Sequence, residues 1–118
     1  MSDAYSIFHV EDILLVSINE DVTDTDITDL QDKLSEAIVK VKANAVIVDI
    51  SALEIVDTFV GRILGQLAKI AKILDAAPYV VGMRPAVAMT LVELGMDLKD
   101  MRTALSVNHA MQHARRAS

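Results

Sequence analysis

The chain has no cysteine and no tryptophan, and only four aromatic side chains: Tyr5, Phe8, Phe59 and Tyr79. Without cysteine there is no disulfide framework, no thiol nucleophile and no cysteine-based zinc site. Four rings are too few for a platform that stacks single-stranded bases, which needs several exposed aromatic faces. Glycine is equally scarce. Gly61, Gly65, Gly82 and Gly95 fall in no GxGxxG or GxxxxGKS/T loop of the kind that cradles phosphate. The longest aliphatic stretches, 13–16 and 45–48, are four residues each, against roughly 18 to 20 for a bilayer span. The opening stretch MSDAYSIFHVED carries acids where a secretory signal carries bases, and no apolar core follows it. A cytoplasmic protein is expected.

Basic residues are missing from the front of the chain. Residues 1–32 hold nine acids (Asp3, Glu11, Asp12, Glu20, Asp21, Asp24, Asp26, Asp29 and Asp32) and no Lys or Arg. The remainder holds eight acids and eleven bases, for −6 overall. An acidic front disfavours nucleic acid and anionic membranes and suits a basic protein partner, although solubility is the plainer account. What the chain has in quantity is aliphatic side chains, which bring the hydrophobic fraction to 53% of 118 residues. That composition excludes disorder. The length predicts a single domain, 1–118, burying roughly two-thirds of the surface its unfolded chain exposes.

Hydrophobic periodicity orders the elements. Tyr5–Val10 and Ile13–Ile18, separated by Glu11-Asp12, read as a hairpin rich in β-branched and aromatic residues. Ile27, Leu30, Leu34, Ile38 and Val41 then recur at helical spacing over 27–42, after N-cap candidates in 23–26. Residues 45–50 lack alternation, the pattern of a strand covered on both faces. Phe59, Ile63, Leu67, Ile70 and Leu74 mark a second helix, and 79–83 a short buried strand. Pro85 and Gly95 frame a third helix over 86–94. A last strand is expected over 103–107, followed by a short helix capped by Asn108 and ending in Arg115-Arg116. The order β-β-α-β-α-β-α-β-α predicts an α/β fold, with a mostly parallel sheet and an N-terminal antiparallel edge strand.

Most candidate motifs have plain explanations. Gly61 and Gly65, four apart on the second helix, allow close packing. His109 and His113 have metal-ligand spacing, but no Glu follows the first and no third ligand is evident, so a solvated terminal helix is expected. Ser51-Ala52-Leu53-Glu54 fits a capping-box pattern but reads as a turn, because the next helical face starts only at Phe59. Asp49 at a strand end, with Asp21, Asp24 and Asp26 after another, suits a receiver-like phosphotransfer domain using Asp49. That reading also needs a late-strand Lys; none lies in 79–85 or 103–109, and Arg84 is the sole base there. Asp57-Thr58 at the entry to the second helix is an N-cap on the plain reading. On the functional reading it is a phosphorylation site, where free N–H groups and the helix dipole favour a dianion.

The strand 45–50, the loop to Val56-Asp57-Thr58-Phe59, the Gly65-containing helix and the stretch 85–95 resemble the STAS domain family (sulfate transporter and anti-sigma factor antagonist). The likeness is to the SpoIIAA-like fold and, within it, to the RsbS type of stressosome scaffold. It spans nearly the whole chain. The resemblance implies a non-enzymatic switch that co-assembles with RsbR-type STAS proteins, as a homo-oligomer or a large hetero-oligomer. It also implies capture of an RsbT-type serine/threonine kinase, release on phosphorylation at Thr58, and resetting by a phosphatase. Val56, Asp57, Phe59 and Arg62, with Asp21 and Asp24, would form the kinase-facing surface. No cofactor is implied, since ATP and Mg²⁺ belong to the kinase. The acceptor in this type is usually Ser, and the extra methyl of Thr58 stiffens χ1. A simple anti-sigma factor antagonist is the alternative.

Overall fold

The computed structural model describes residues 4–55, 57–95, 98 and 100–117. Strands β1 (Tyr5–Val10) and β2 (Ile13–Ile18) pair antiparallel in the expected hairpin, with Val10 opposite Ile13 and Glu11 in the turn at φ 56°. Helix α1 (Asp24–Val41) follows. It is capped by Thr23 and buries Ile27, Leu30, Leu34 and Ile38, the stripe its 3.6-residue period announces. Strand β3 (Ala45–Asp49), helix α2 (Thr58–Ile73), strand β4 (Ala77–Val81), helix α3 (Pro85–Glu93), strand β5 (Arg102–Ala104) and helix α4 (Val107–Ala117) complete the order.

The five strands lie in sequence order, β1-β2-β3-β4-β5, and every pair after the first is parallel. Right-handed crossovers that always step in one direction put their helices on one face. Accordingly Leu14, Val16, Val46, Val48 and Val80 of the sheet share one core with side chains of α1, α2 and α3. Alternate strand residues, Ile13, Ala45, Ile47, Tyr79 and Val81, face the other way and pack under Ala110, Met111 and Ala114 of α4. Strand β3 is thus buried on both faces, as its unbroken apolar run requires. Leu64 of α2 is fully buried in the larger core, and truncating such a leucine to alanine costs about 2–5 kcal/mol.

Several boundaries differ from the sequence reading, and three of the differences are instructive. β4 starts at Ala77 and stops at Val81 rather than running over 79–83, because Gly82 turns the chain at φ 74°. β5 has three residues, not five, and Leu105 beyond it is 88% exposed. The cap of α4 is Ser106, whose hydroxyl accepts the His109 N–H at 3.2 Å, and Asn108 lies inside the helix. The terminal helix is not a solvated appendage either: it roofs the second face of the sheet. Among the described residues no helix is long and apolar enough to cross a membrane.

Candidate functional site

The C-terminal ends of the parallel strands gather the loops that enter α1, α2 and α3. At the entry to α2 the backbone of Asp57 is extended (φ −124°, ψ −173°), and its Oδ1 accepts the Val60 N–H at 3.1 Å. Its carbonyl accepts the Gly61 N–H at 3.2 Å. Asp57 is therefore the N-cap, and it covers an N–H that the helix cannot satisfy internally. Thr58 is the first helical residue and is exposed. With the capping done by Asp57, Thr58 is an exposed residue whose hydroxyl is not the cap, and the first turn of α2 holds no acid. The cap carboxylate of Asp57 offsets the positive end of the helix dipole.

Phe59 is half-buried and anchors this turn in the larger core. Arg62, exposed, stands four residues after Thr58, one turn along the same face. A cavity of about 330 Å³ beside the turn is lined by Glu20, Val22, Leu53, Ile55, Asp57, Phe59 and Val60. The acidic loop after β2 thus does meet the Asp57-Thr58 loop, through Glu20. Asp21 and Asp24 are exposed nearby but do not line this cavity. Val56, expected among the site residues, lies outside the described residues. Ile55 is 83% exposed, an apolar side chain offered to solvent next to the Asp57-Thr58 loop.

Asp49 serves the turn that follows β3, its Oδ1 accepting the Ser51 N–H at 2.9 Å. Arg84 points its guanidinium at the Ser51 carbonyl and at Glu54. The contacts of Glu20 and Arg84 were not foreseeable from sequence, because the partners lie 34 and 33 positions away. The one local signal was that each is a charged residue at a predicted strand end.

On the second face Tyr79, 2% exposed, meets His113 Nδ1 at 2.6 Å through its hydroxyl, and burial pushes that phenol's pKa up. Arg102 Nη1 lies 3.2 Å from His113 Nε2. A guanidinium only donates, so Nε2 accepts and Nδ1 carries the proton toward Tyr79. His113 is therefore a docking residue for α4. On the first face the Tyr5 hydroxyl donates to Asp29 on α1, and Lys33 pairs with the same carboxylate at 3.2 Å. The Tyr5 hydrogen bond, then Lys33, hold the Asp29 carboxyl below its usual range.

Residues 5–110 match the STAS domain family. The chain is 29% identical over 85 residues to the RsbT co-antagonist protein RsbRA of Bacillus subtilis, a match covering 72% of this chain and 31% of that protein. It thus spans about a third of that relative's length. A serine-to-glutamate variant of RsbS from Moorella thermoacetica superposes with a TM-score of 0.81 at 35% identity, covering 95% of each chain. A chain from the molecular architecture of the stressosome, a signal integration and transduction hub, superposes at 0.84 and 35% identity over 95% of this chain and 97% of that one.

Proposed function

The chain belongs to the STAS domain family, and on that premise we propose that it is a non-enzymatic scaffold of a stressosome-type assembly, switched by phosphorylation at Thr58. It co-assembles in the cytoplasm with RsbR-type STAS proteins and captures an RsbT-type serine/threonine kinase. The kinase supplies ATP and Mg²⁺ and moves the γ-phosphoryl group to Thr58 Oγ1. A phosphate ester forms, ADP leaves, and the hydroxyl proton passes to the kinase. The observation that carries this reading is an exposed threonine at the first position of α2, relieved of capping by Asp57. Likeness to RsbS and RsbRA supports the choice of assembly and partners.

The charge change accounts for release. A phosphate adds about −1.5 to −2 charges beside Asp57 and close to Glu20, within a surface the kinase must desolvate. Losing 2–3 kcal/mol of binding lowers affinity by roughly 30- to 150-fold. Arg62, one turn on, is placed to pair with the new phosphate and draw it along the helix. A phosphatase then restores the captured state.

Incubation with the kinase and ATP, read by mass spectrometry, is expected to place one phosphate on Thr58. A different acceptor sinks the proposal. Mixing with an RsbR-type partner is expected to give a megadalton particle by size-exclusion chromatography; a small heterodimer supports the simpler antagonist. Kinase capture is expected to weaken as salt rises, because the acidic loop steers the encounter.

A further inference from the structure

The 51–54 turn, upstream of Thr58, is gripped by side chains from the loops on either side. From the β2–α1 loop, Glu20 Oε1 accepts the Glu54 N–H at 3.1 Å. From the β4–α3 loop, Arg84 donates to the Ser51 carbonyl through Nε at 3.3 Å and Nη2 at 3.1 Å, and its Nη1 lies 3.8 Å from Glu54 Oε1. Glu54 is therefore engaged twice, by its amide on one side and its carboxylate on the other. Arg84 is also the N-cap residue of α3, where a guanidinium has no acceptor to offer the free N–H groups; its side chain serves the 51–54 turn. Beneath this turn Gly82 approaches so closely that a Cβ would lie 2.8 Å from both Asp49 Oδ1 and Ser51 Cβ. Leu53 is buried. Only two residues separate Glu54 from the Asp57 cap.

We propose that Glu20 and Arg84 form a clasp that sets how Thr58 is presented for phosphoryl transfer, which makes them positioning residues for the modification. The inference rests on the reading of Thr58 as the acceptor. In-line transfer depends on alignment, and displacing a reacting group by about 1 Å costs on the order of 100-fold in rate. Asp57 fixes the first turn of α2, but the direction from which the chain enters that turn is set upstream, where the clasp holds residues 51–54. The planar fork of arginine matters, because two of its N–H groups converge on one carbonyl while a third nitrogen faces Glu54; lysine offers only a point charge. Since the clasp joins three loops, drawing Glu20 or Arg84 away loosens the approach to Thr58 as well.

The test compares the full chain with its Arg84→Ala, Arg84→Lys and Glu20→Ala variants. With the RsbT-type kinase, kcat/KM for Thr58 labelling is expected to fall by about tenfold or more in both alanine variants. The loss is expected in kcat in both, with KM rising as well in Glu20→Ala because Glu20 belongs to the acidic loop that steers the kinase; the melting midpoint should stay unchanged, and Arg84→Lys should recover only part of the rate. Amide exchange by NMR reads the clasp without the kinase: in Glu20→Ala the protection of Glu54 is expected to fall, and that of Val60 with it. Unchanged kcat/KM in both alanine variants, or a loss confined to KM, overturns the clasp while leaving Thr58 as acceptor. If the wild-type chain is not labelled at Thr58, the functional reading falls instead. The clasp then stands or falls on Val60 protection, and unchanged protection overturns it.

Discussion

Two threonines stand at two helix starts, and the fold uses them in opposite ways. At α1, Thr23 is the N-cap in a full capping box: its hydroxyl accepts the Asp26 N–H at 3.2 Å and donates to Asp26 Oδ2 at 2.9 Å, and its own N–H reaches the same carboxylate at 3.0 Å. At α2 that duty has passed to Asp57, and Thr58, an exposed residue, sits one place further on. The first turn of α1 carries Asp24 and Asp26, whereas the first turn of α2 carries no acid. A helix dipole already matched by carboxylates has little use for another anion. The start of α2 has one carboxylate, on its cap Asp57, where α1 has two in its first turn. Residue type alone does not separate the two sites; the position relative to the cap does.

The contrast can be broken most directly by kinase labelling. Thr58→Ala is expected to reduce phosphate incorporation to background while Thr23→Ala leaves it intact, as measured by mass spectrometry; label retained in Thr58→Ala would erase the distinction. Next in size come stabilities from urea unfolding. Thr23→Ala and Asp57→Ala should each cost about 1 kcal/mol, as lost N-caps do, while Thr58→Ala should stay within about 0.5 kcal/mol. A Thr58→Ala cost equal to that of Thr23→Ala would mean that Thr58 shares the capping. Thr58→Ser, which removes the methyl that stiffens χ1, is expected to speed labelling modestly in a single-turnover assay.

The smallest effect concerns the acids of α1. The Tyr5 hydroxyl and Lys33 hold the Asp29 carboxyl below its usual range. Its contribution is therefore present above the ordinary carboxylate pKa and is lost as pH falls through the depressed folded value. Tyr5→Phe removes the first of these supports, so the Asp29 pKa should rise toward its ordinary value in a side-chain NMR titration. An unmoved Asp29 would assign the effect to Lys33.

Local patterns in the sequence were enough where a single period governs a whole element. The stripe of α1, the unbroken β3 run and the hairpin each show in residues a few places apart, and the Asp57-Thr58 entry to α2 is legible for the same reason. The end of the chain was not. Leu105 is apolar and β-compatible, yet it is exposed, because β5 pairs only along 102–104 and the chain turns at once into α4. Helix α4 presents mostly polar residues and buries just Ala110, Met111 and Ala114. The second core is therefore visible only from the sheet residues beneath it. At the entry to α2 the Asp57-Thr58 helix start was apparent, but the grip of Glu20 and Arg84 on the loop before it joins residues more than thirty positions apart and leaves no local trace.

Arg115 reaches Glu11 at 2.7 Å, and Asn44 Nδ2 donates to the Ala114 carbonyl at 3.3 Å. These contacts fasten the last turn of α4 to the hairpin turn and to the residue that precedes β3, at the pole where the parallel strands begin. Thr58 lies at the pole where they end. Five-residue strands separate the two by on the order of 17 Å. Cargo, label or further chain attached after α4 would thus hang from the base of the molecule and leave its crown open, which makes this the natural end from which to tether it to a surface while the switch is being read.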